Sequence, residues 1–240
     1  MSSNHCLALL LDGPMQSWGF ASRFTRRSTA LFPTKSGVVG MLAAALGVDK
    51  FQADEAQHIQ RLAALRCTTI TLPRKRGTAE LPMLRLSDYH TIGGGYDRDT
   101  DAMKKPRAAS GATLETVISE RHYLLDARFG VLLQGERDWL EEIAAKLGNP
   151  TWGIWLGRKC CIPAAPVLVG TAEDKAAALV LLLARAGGAE GSSIEQFDHV
   201  IEGDEAEGLD AEWRHDMPVA FGAPIGERHA PRRILQVRRR

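Results

Sequence analysis

Two segments of helical period, residues 34–47 and 137–147, each lie between runs that read as strands, and that order leaves few folds open. "CLALLLD" stops at Asp12-Gly13-Pro14 and predicts a short buried strand over residues 5–11. Thr34 is a good helix N-cap, and the helix after it places Val38, Leu42, Ala45 and Leu46 on one stripe. Gly37, Gly40, Ala44 and Gly47 form a second, bare stripe. A glycine inside a helix costs about 1 kcal/mol relative to alanine, so close approach of another backbone is the expected reason for Gly40. Asp54 with Gln57 predicts a capping box and a second helix with Ala56, Ile59 and Ala63 inward. "RCTTITL" and residues 81–90 predict strands, and "RHYLLDARFGVLLQG" recovers strand character after them. The next helix turns Leu140, Ile143 and Leu147 inward and closes at Gly148-Asn149-Pro150. "RKCCIPAAPVLVG" supplies a last strand whose prolines favour an edge. Strand, helix, strand, strand, helix, strand is the order of an α+β, ferredoxin-like (RRM-like) sandwich.

Residues 92–117 resist this scheme. A run of three glycines, a fourth at Gly111, a proline and mixed charges deny them a core face, and loops this long inside a domain are functional or disordered. After Gly170 the composition shifts. Thr171 with Asp174 can cap a helix through Leu183 that ends at Gly187-Gly188, and short β-like pieces follow near residues 196–201, 213–221 and 233–237. The expected division is a domain of residues 1–170 and a smaller β-rich unit of 171–240.

A chain of 240 residues with 45% hydrophobic and 25% charged side chains reads as an ordinary soluble protein. Its longest apolar run, residues 176–184, is far short of the roughly 20 residues that cross a bilayer. No basic flank precedes the first apolar run, so no signal peptide is expected. Cys6, Cys67, Cys160 and Cys161 lack Cys-x-x-Cys spacing and read as reduced thiols in a cytoplasm. No metal and no cofactor are expected. "PTKSGVVG" has the Lys-Ser of a phosphate loop without the glycine six residues before the lysine, and there is no Gly-x-Ser-x-Gly or His-Glu-x-x-His.

The net charge of +1 conceals a partition. Residues 1–111 hold 15 Lys/Arg against 9 Asp/Glu, residues 171–216 hold 12 acids against 3 bases, and the chain ends on "RRILQVRRR". A basic front with an acidic back would orient the molecule on a polyanion, and an unevenly charged solvated surface fits the same counts. "DYHT" and "RHY" set His90 and His122 beside Tyr89 and Tyr123, on either flank of the long loop. A metal-free ribonuclease needs a general base, a general acid and a cation, which His, Tyr and Lys provide; base stacking or strand packing is the plainer use of the same residues.

"LDGPMQSWG", "SRFTRRSTALFPTKSGVVGMLAAALG", "LRLSDYHT" and "WLGRKCCIPAAPVLVG" together closely resemble, in order and spacing, the CasD-type family of subtype E CRISPR-associated proteins. Its members are the Cascade subunit that caps the 5′ end of the crRNA. The resemblance covers residues 7–170 and fades in the acidic C-terminal part. It implies an RRM-like domain with a small C-terminal β domain and a protruding thumb at about residues 92–117, carrying Tyr96, Arg98, Met103, Lys104, Lys105 and Arg107. It also implies a role in antiviral defence: holding the 5′ handle of the crRNA, contacting the large and backbone subunits, and meeting target DNA indirectly through the complex, with no membrane partner.

The residues themselves suit that role. Arg23, Arg26 and Arg27 offer planar forks matched to phosphate oxygens. Thr34, Lys35, Ser36 and Gly37 open a helix whose N–H groups and dipole attract an anion; Lys35 adds a point charge, and Gly37 and Gly40 would let a sugar-phosphate backbone approach. Trp18, Phe20 and Phe24 can stack bases or pack in a core. Tyr89, His90 and Arg121 flank the thumb, and Arg158 and Lys159 are further handle or neighbour contacts implied by the resemblance. Two classes of function stay open: a non-catalytic RNA-binding scaffold, and a crRNA-processing endoribonuclease, an activity of the related subtype C proteins. "WLGRK" points to subtype E, whose systems resemble a division of labour with a separate processing enzyme. A generic RRM-like RNA binder lacks its aromatic octamer here.

Overall fold

The run "CLALLLD" is apolar without alternation because both faces of its strand are covered. The computed structural model of the chain describes residues 5–20, 25–92, 117–188, 191–202, 211–224 and 226–239. Its strands and helices are β1 (Cys6–Asp12), β2 (Met15–Gln16), β3 (Arg26–Arg27), α1 (Lys35–Leu46), α2 (Glu55–Ala63), β4 (Arg66–Thr71), β5 (Lys75–Arg76), β6 (Ala79–Glu80), β7 (Leu84–Ile92), β8 (Val117–Leu125), β9 (Arg128–Gln134), α3 (Arg137–Gly148), β10 (Leu168–Ala172), α4 (Lys175–Arg185), β11 (His199–Glu202), β12 (Glu212–Pro218) and β13 (His229–Val237).

The main sheet has seven antiparallel-paired strands in the order β10-β1-β9-β4-β11-β13-β12. Leu7, Leu9 and Leu11 point to one face with Phe129, Val131 and Leu133, and join Val38 and Leu42 of α1 and Leu140 and Ile143 of α3 in one core. Cys6 and Ala8 point to the other with Ile70 and Leu132, under Ala178, Leu179 and Leu182 of α4. Each such large aliphatic chain contributes roughly 1.5–3 kcal/mol by its burial. A Cβ on Gly130 would lie 2.2 Å from Leu182, so glycine is what lets α4 seat on β9. Asp174 caps α4, accepting from the N–H of Ala177 at 2.8 Å.

A second sheet stands on the first. β7 and β8 pair along their full length, from Leu84↔Leu125 to Ile92↔Val117, while β2 and β3 both pair with the other edge of β8. The expected thumb, with Tyr96, Arg98, Met103, Lys104, Lys105 and Arg107, falls between the ends of this hairpin and outside the described residues.

Several expectations need correction. "RHYLLDARFGVLLQG" is two strands in different sheets, broken at Asp126, whose φ of 50° turns the chain. Residues 92 and 117 are strand residues and not loop. Only the end of "RKCCIPAAPVLVG" enters β10, although that strand is an edge as expected. Asp54 makes no capping bond to α2, since its carboxylate turns to His58 at 3.3 Å. Gly40 faces the ring of Phe221 at ordinary contact distance, and among the described residues no backbone outside its own helix lies within 4 Å of where a Cβ would stand. The strands after residue 170 do not form a sheet of their own: β11 pairs with β4 and carries β13 and β12 as an extension of the main sheet.

Candidate nucleic-acid interface

Thr34 caps α1, its hydroxyl accepting from the N–H of Gly37 at 3.3 Å, a bond type worth about 0.5–2 kcal/mol. The first turn of α1 therefore has a fixed direction, and two different things lie at it. On its inner side the N–H of Lys35 donates to Asp216 Oδ2 at 3.0 Å. Asp216 also takes both prongs of Arg232, at 2.7 and 3.0 Å, and Arg232 donates to Glu202 at 2.5 Å. Glu202 accepts in turn from Lys35 Nζ at 2.5 Å and from the Cys67 N–H at 2.6 Å, and Lys35 Nζ donates to the carbonyl of Leu65 at 2.8 Å. All four charged side chains are buried.

This closed network corrects the reading of Lys35. Its ammonium is spent inside the protein and is not offered to a phosphate. The reason is the C-terminal extension of the sheet, which delivers two carboxylates, from β11 and β12, to the helix start. Burial pushes the Asp216 carboxyl up, but hydrogen bonds and charge from Arg232, with Lys35 behind them, outweigh it and hold the group below its ordinary value.

On the outer side the first turn of α1 faces a groove of about 440 Å³ lined by Arg27, Lys50, Arg158 and Arg228, with Ser36 and Gly37 at the helix start and Phe221 and His229 opposite. Among the described residues no Asp or Glu lines it. Four cations with no carboxylate beside low-dielectric walls focus a positive potential. Partial burial lowers the His229 pKa, so the imidazole is neutral at pH 7 and the charge rests on the four cations.

Arg158 is built into the wall. Its guanidinium stacks over the Tyr123 ring at 4.8 Å and donates to the carbonyl of Arg27 at 2.8 Å. Gly157 before it has φ 93°, and a Cβ there would lie 1.9 Å from the carbonyl oxygen of Ser17. That is why "WLGRK" carries glycine at this position. Gly37 is glycine for a packing reason also: a Cβ would lie 2.7 Å from the Trp18 indole. Trp18 is fully buried, and its ring N–H donates to Gln16 at 3.1 Å, so it is core and does not stack a base. Phe20 is 41% exposed, with Arg214 5.3 Å from its ring centroid.

The profile of the CRISPR-associated protein (Cas_Cas5) family matches residues 6–240. This chain belongs to the Cas5 family. The "CRISPR system Cascade subunit CasD" of Escherichia coli (strain K12) is 33% identical over 180 residues, 70% of this chain and 71% of that protein. A chain of a "CRISPR RNA-guided surveillance complex" superposes with a TM-score of 0.69 at 28% identity, covering 97% of this chain and 89% of its own. A "Crystal structure of Cas protein" gives 0.60 at 28% identity over 96% and 93%.

Within this Cas5-family chain the remaining sequence-selected residues scatter. Arg26 and Arg27 are exposed on β3 and align with Glu120 and Arg121 of β8, whereas Arg23 lies outside the described residues. Lys159 is exposed beside Arg158, and Thr34 is buried as the cap. Tyr89 is 71% exposed on β7, and Arg121 donates to Ser119 at 3.1 Å. His90 sits opposite Ser119 in the register and His122 opposite Ser87. Alternation along the two strands therefore sends the two imidazoles to opposite faces of the hairpin. His90 has Asp88 at 3.4 Å, and His122 has Glu120 at 3.1 Å; that hydrogen bond holds the Glu120 carboxyl below its ordinary value. Sequence reasoning missed Lys50, Arg228 and His229, because lone basic residues after a helix or in a turn carry no motif.

Proposed function

We propose that this chain is a non-catalytic RNA-binding subunit of a type I-E Cascade interference complex, acting in antiviral defence by holding the 5′ handle of the crRNA. The groove of Arg27, Lys50, Arg158 and Arg228, with no carboxylate among its described lining residues, carries this reading. Arginine forks take phosphate oxygens in two parallel hydrogen bonds, and the groove offers three of them beside the start of α1. In this reading the β10-β1-β9-β4 core with α1 and α3 is an RRM-like, ferredoxin-like unit whose usual open sheet face is closed by α4, leaving the edge between α1 and the β7–β8 hairpin to the RNA. In the same proposal the segment joining β7 to β8, which lies outside the described residues, serves as the thumb that meets the guide and the backbone subunits. Contacts to the large subunit, the indirect meeting with target DNA and a cytoplasmic location belong to the same proposal. No helix among the described residues is long and apolar enough to cross a membrane.

The opposite-face placement of His90 and His122 supports a scaffold over a nuclease, since one scissile phosphate cannot be reached by a proton donor and a proton acceptor on two sides of a sheet. Co-expression of the complex with a subunit carrying Arg27→Glu and Lys50→Glu tests the proposal. Both side chains are exposed, so folding is spared, and the complex is expected to lose its crRNA. Normal crRNA content in that complex would refute it.

A further inference from the structure

The groove leaves the C-terminal "RRILQVRRR" unused. Arg232 of that run is buried, but Arg238 and Arg239 emerge together at the end of β13. Arg238 donates to Asp198 at 3.2 Å, the N–H of Arg239 donates to the same carboxylate at 3.0 Å, and the Arg239 side chain donates to Glu80 at 2.6 Å. The chain end is thereby fastened to the β5–β6 hairpin, whose Lys75 and Arg76 are exposed around the turn at Gly77. Arg85, at the start of β7, Arg238 and Arg239 line a cleft of about 600 Å³ between this hairpin and the end of the main sheet.

We propose that the β5–β6 hairpin, Arg85 and the C-terminal arginines form a second nucleic-acid surface that grips phosphodiester backbone without reading sequence. Asp198 and Glu80 are matched by Arg238 and Arg239, and Arg74 is matched by Asp12. Lys75, Arg76 and Arg85 have no ion pair among the described residues, so a surplus of about three cations stands along one edge. Exposed ion pairs contribute little to stability, which leaves the accumulation of charge without a folding reason. Lys75 and Arg76 stand outside the lining of the cleft, which itself includes the half-exposed Leu31 and Leu81; long, solvated lysine and arginine chains of this kind suit phosphate neutralisation. This site uses none of the groove residues and stands apart from the handle reading.

The test compares the full chain with a variant carrying Lys75→Gln, Arg76→Gln and Arg85→Gln, all at exposed positions, on three ligands. These are a single-stranded RNA and a DNA duplex, each of about 30 units, and a short RNA strand of about six nucleotides. The variant should bind the long ligands about 10²-fold more weakly at 0.1 M salt, with a log–log salt slope shallower by about 2 on RNA or about 2.7 on duplex. Its affinity for the short strand and its unfolding temperature should not change. Loss on RNA alone or on DNA alone names the polyanion. An unchanged slope on both long ligands overturns the proposal, as does an equal loss on the short strand, which would place these cations in the groove. An unchanged slope with a lost subunit contact in the assembled complex overturns it too, making the patch a protein interface.

Discussion

The backbone N–H of Lys35 lies 3.0 Å from Asp216 Oδ2, so the positive end of α1 is met by a carboxylate of the same chain, carried there by β12. A helix start that reads in the sequence as an anion site is half filled from within. What remains for an outside anion is the other side of the turn, where Arg27, Lys50, Arg158 and Arg228 converge.

Removing one partner from the buried network leaves an uncompensated charge. Asp216→Asn is expected to cost about 3–5 kcal/mol at pH 7, measured by urea unfolding. The pH dependence follows from the lowered Asp216 pKa. Its stabilisation is present above the usual aspartate value of 3.8 and is lost as pH falls through that value toward the depressed folded one. Unfolding curves from pH 6 to pH 3 should therefore show a steeper loss of stability in the natural chain than in Asp216→Asn.

Lys35→Gln separates a structural lysine from a binding one. It should destabilise the chain by a similar amount, because Glu202 and the Leu65 carbonyl lose their donor. At a temperature where the variant is folded, its salt slope on a short RNA strand should match the natural chain. A shallower slope would return Lys35 to the phosphate site.

Two glycines predict opposite outcomes. Gly157→Ala places a Cβ 1.9 Å from the Ser17 carbonyl oxygen at φ 93°, so the turn must move and Arg158 with it; weaker RNA binding and a lower unfolding temperature should appear together. At Gly40→Ala the nearest atom is the Phe221 ring at 3.7 Å, and the helix gains about 1 kcal/mol of propensity. Thermal unfolding of both variants checks the pair.

His90→Ala and His122→Ala are each expected to leave crRNA of normal length in the complex, since the two rings face away from one another across the hairpin. Loss of 5′ cleavage with RNA still bound, in either variant, would establish a nuclease. Typical proton-transfer contributions of 10²–10⁴-fold make the outcome easy to read on a denaturing gel.

Local signals carried much of the fold. Thr34 and Asp174 announce helix starts by side-chain chemistry that acts within three residues, and Leu140, Ile143 and Leu147 show their buried face by period alone. Long-range pairing has no such signature. β11 joins β4 across more than a hundred residues, and nothing in "DHVIE" says that it extends the main sheet. The fate of Lys35 hangs on that pairing, because Glu202 and Asp216 come from the extension. Arg27 and Arg158 were legible because they sit in motifs, while Lys50 and Arg228 gain meaning only when the turn after α1 and the turn before β13 meet.

The central claim is that four groove cations hold single-stranded RNA by its phosphates. The most direct measurement is the affinity of the full chain for a short handle-sequence RNA as a function of salt, beside Arg27→Gln with Lys50→Gln. Four contacts at about −0.7 each predict a log–log slope near −3 for the natural chain and near −1.4 for the double variant, with the unfolding temperature unchanged. A natural-chain slope near zero, or a double variant with an undiminished slope, would contradict the account.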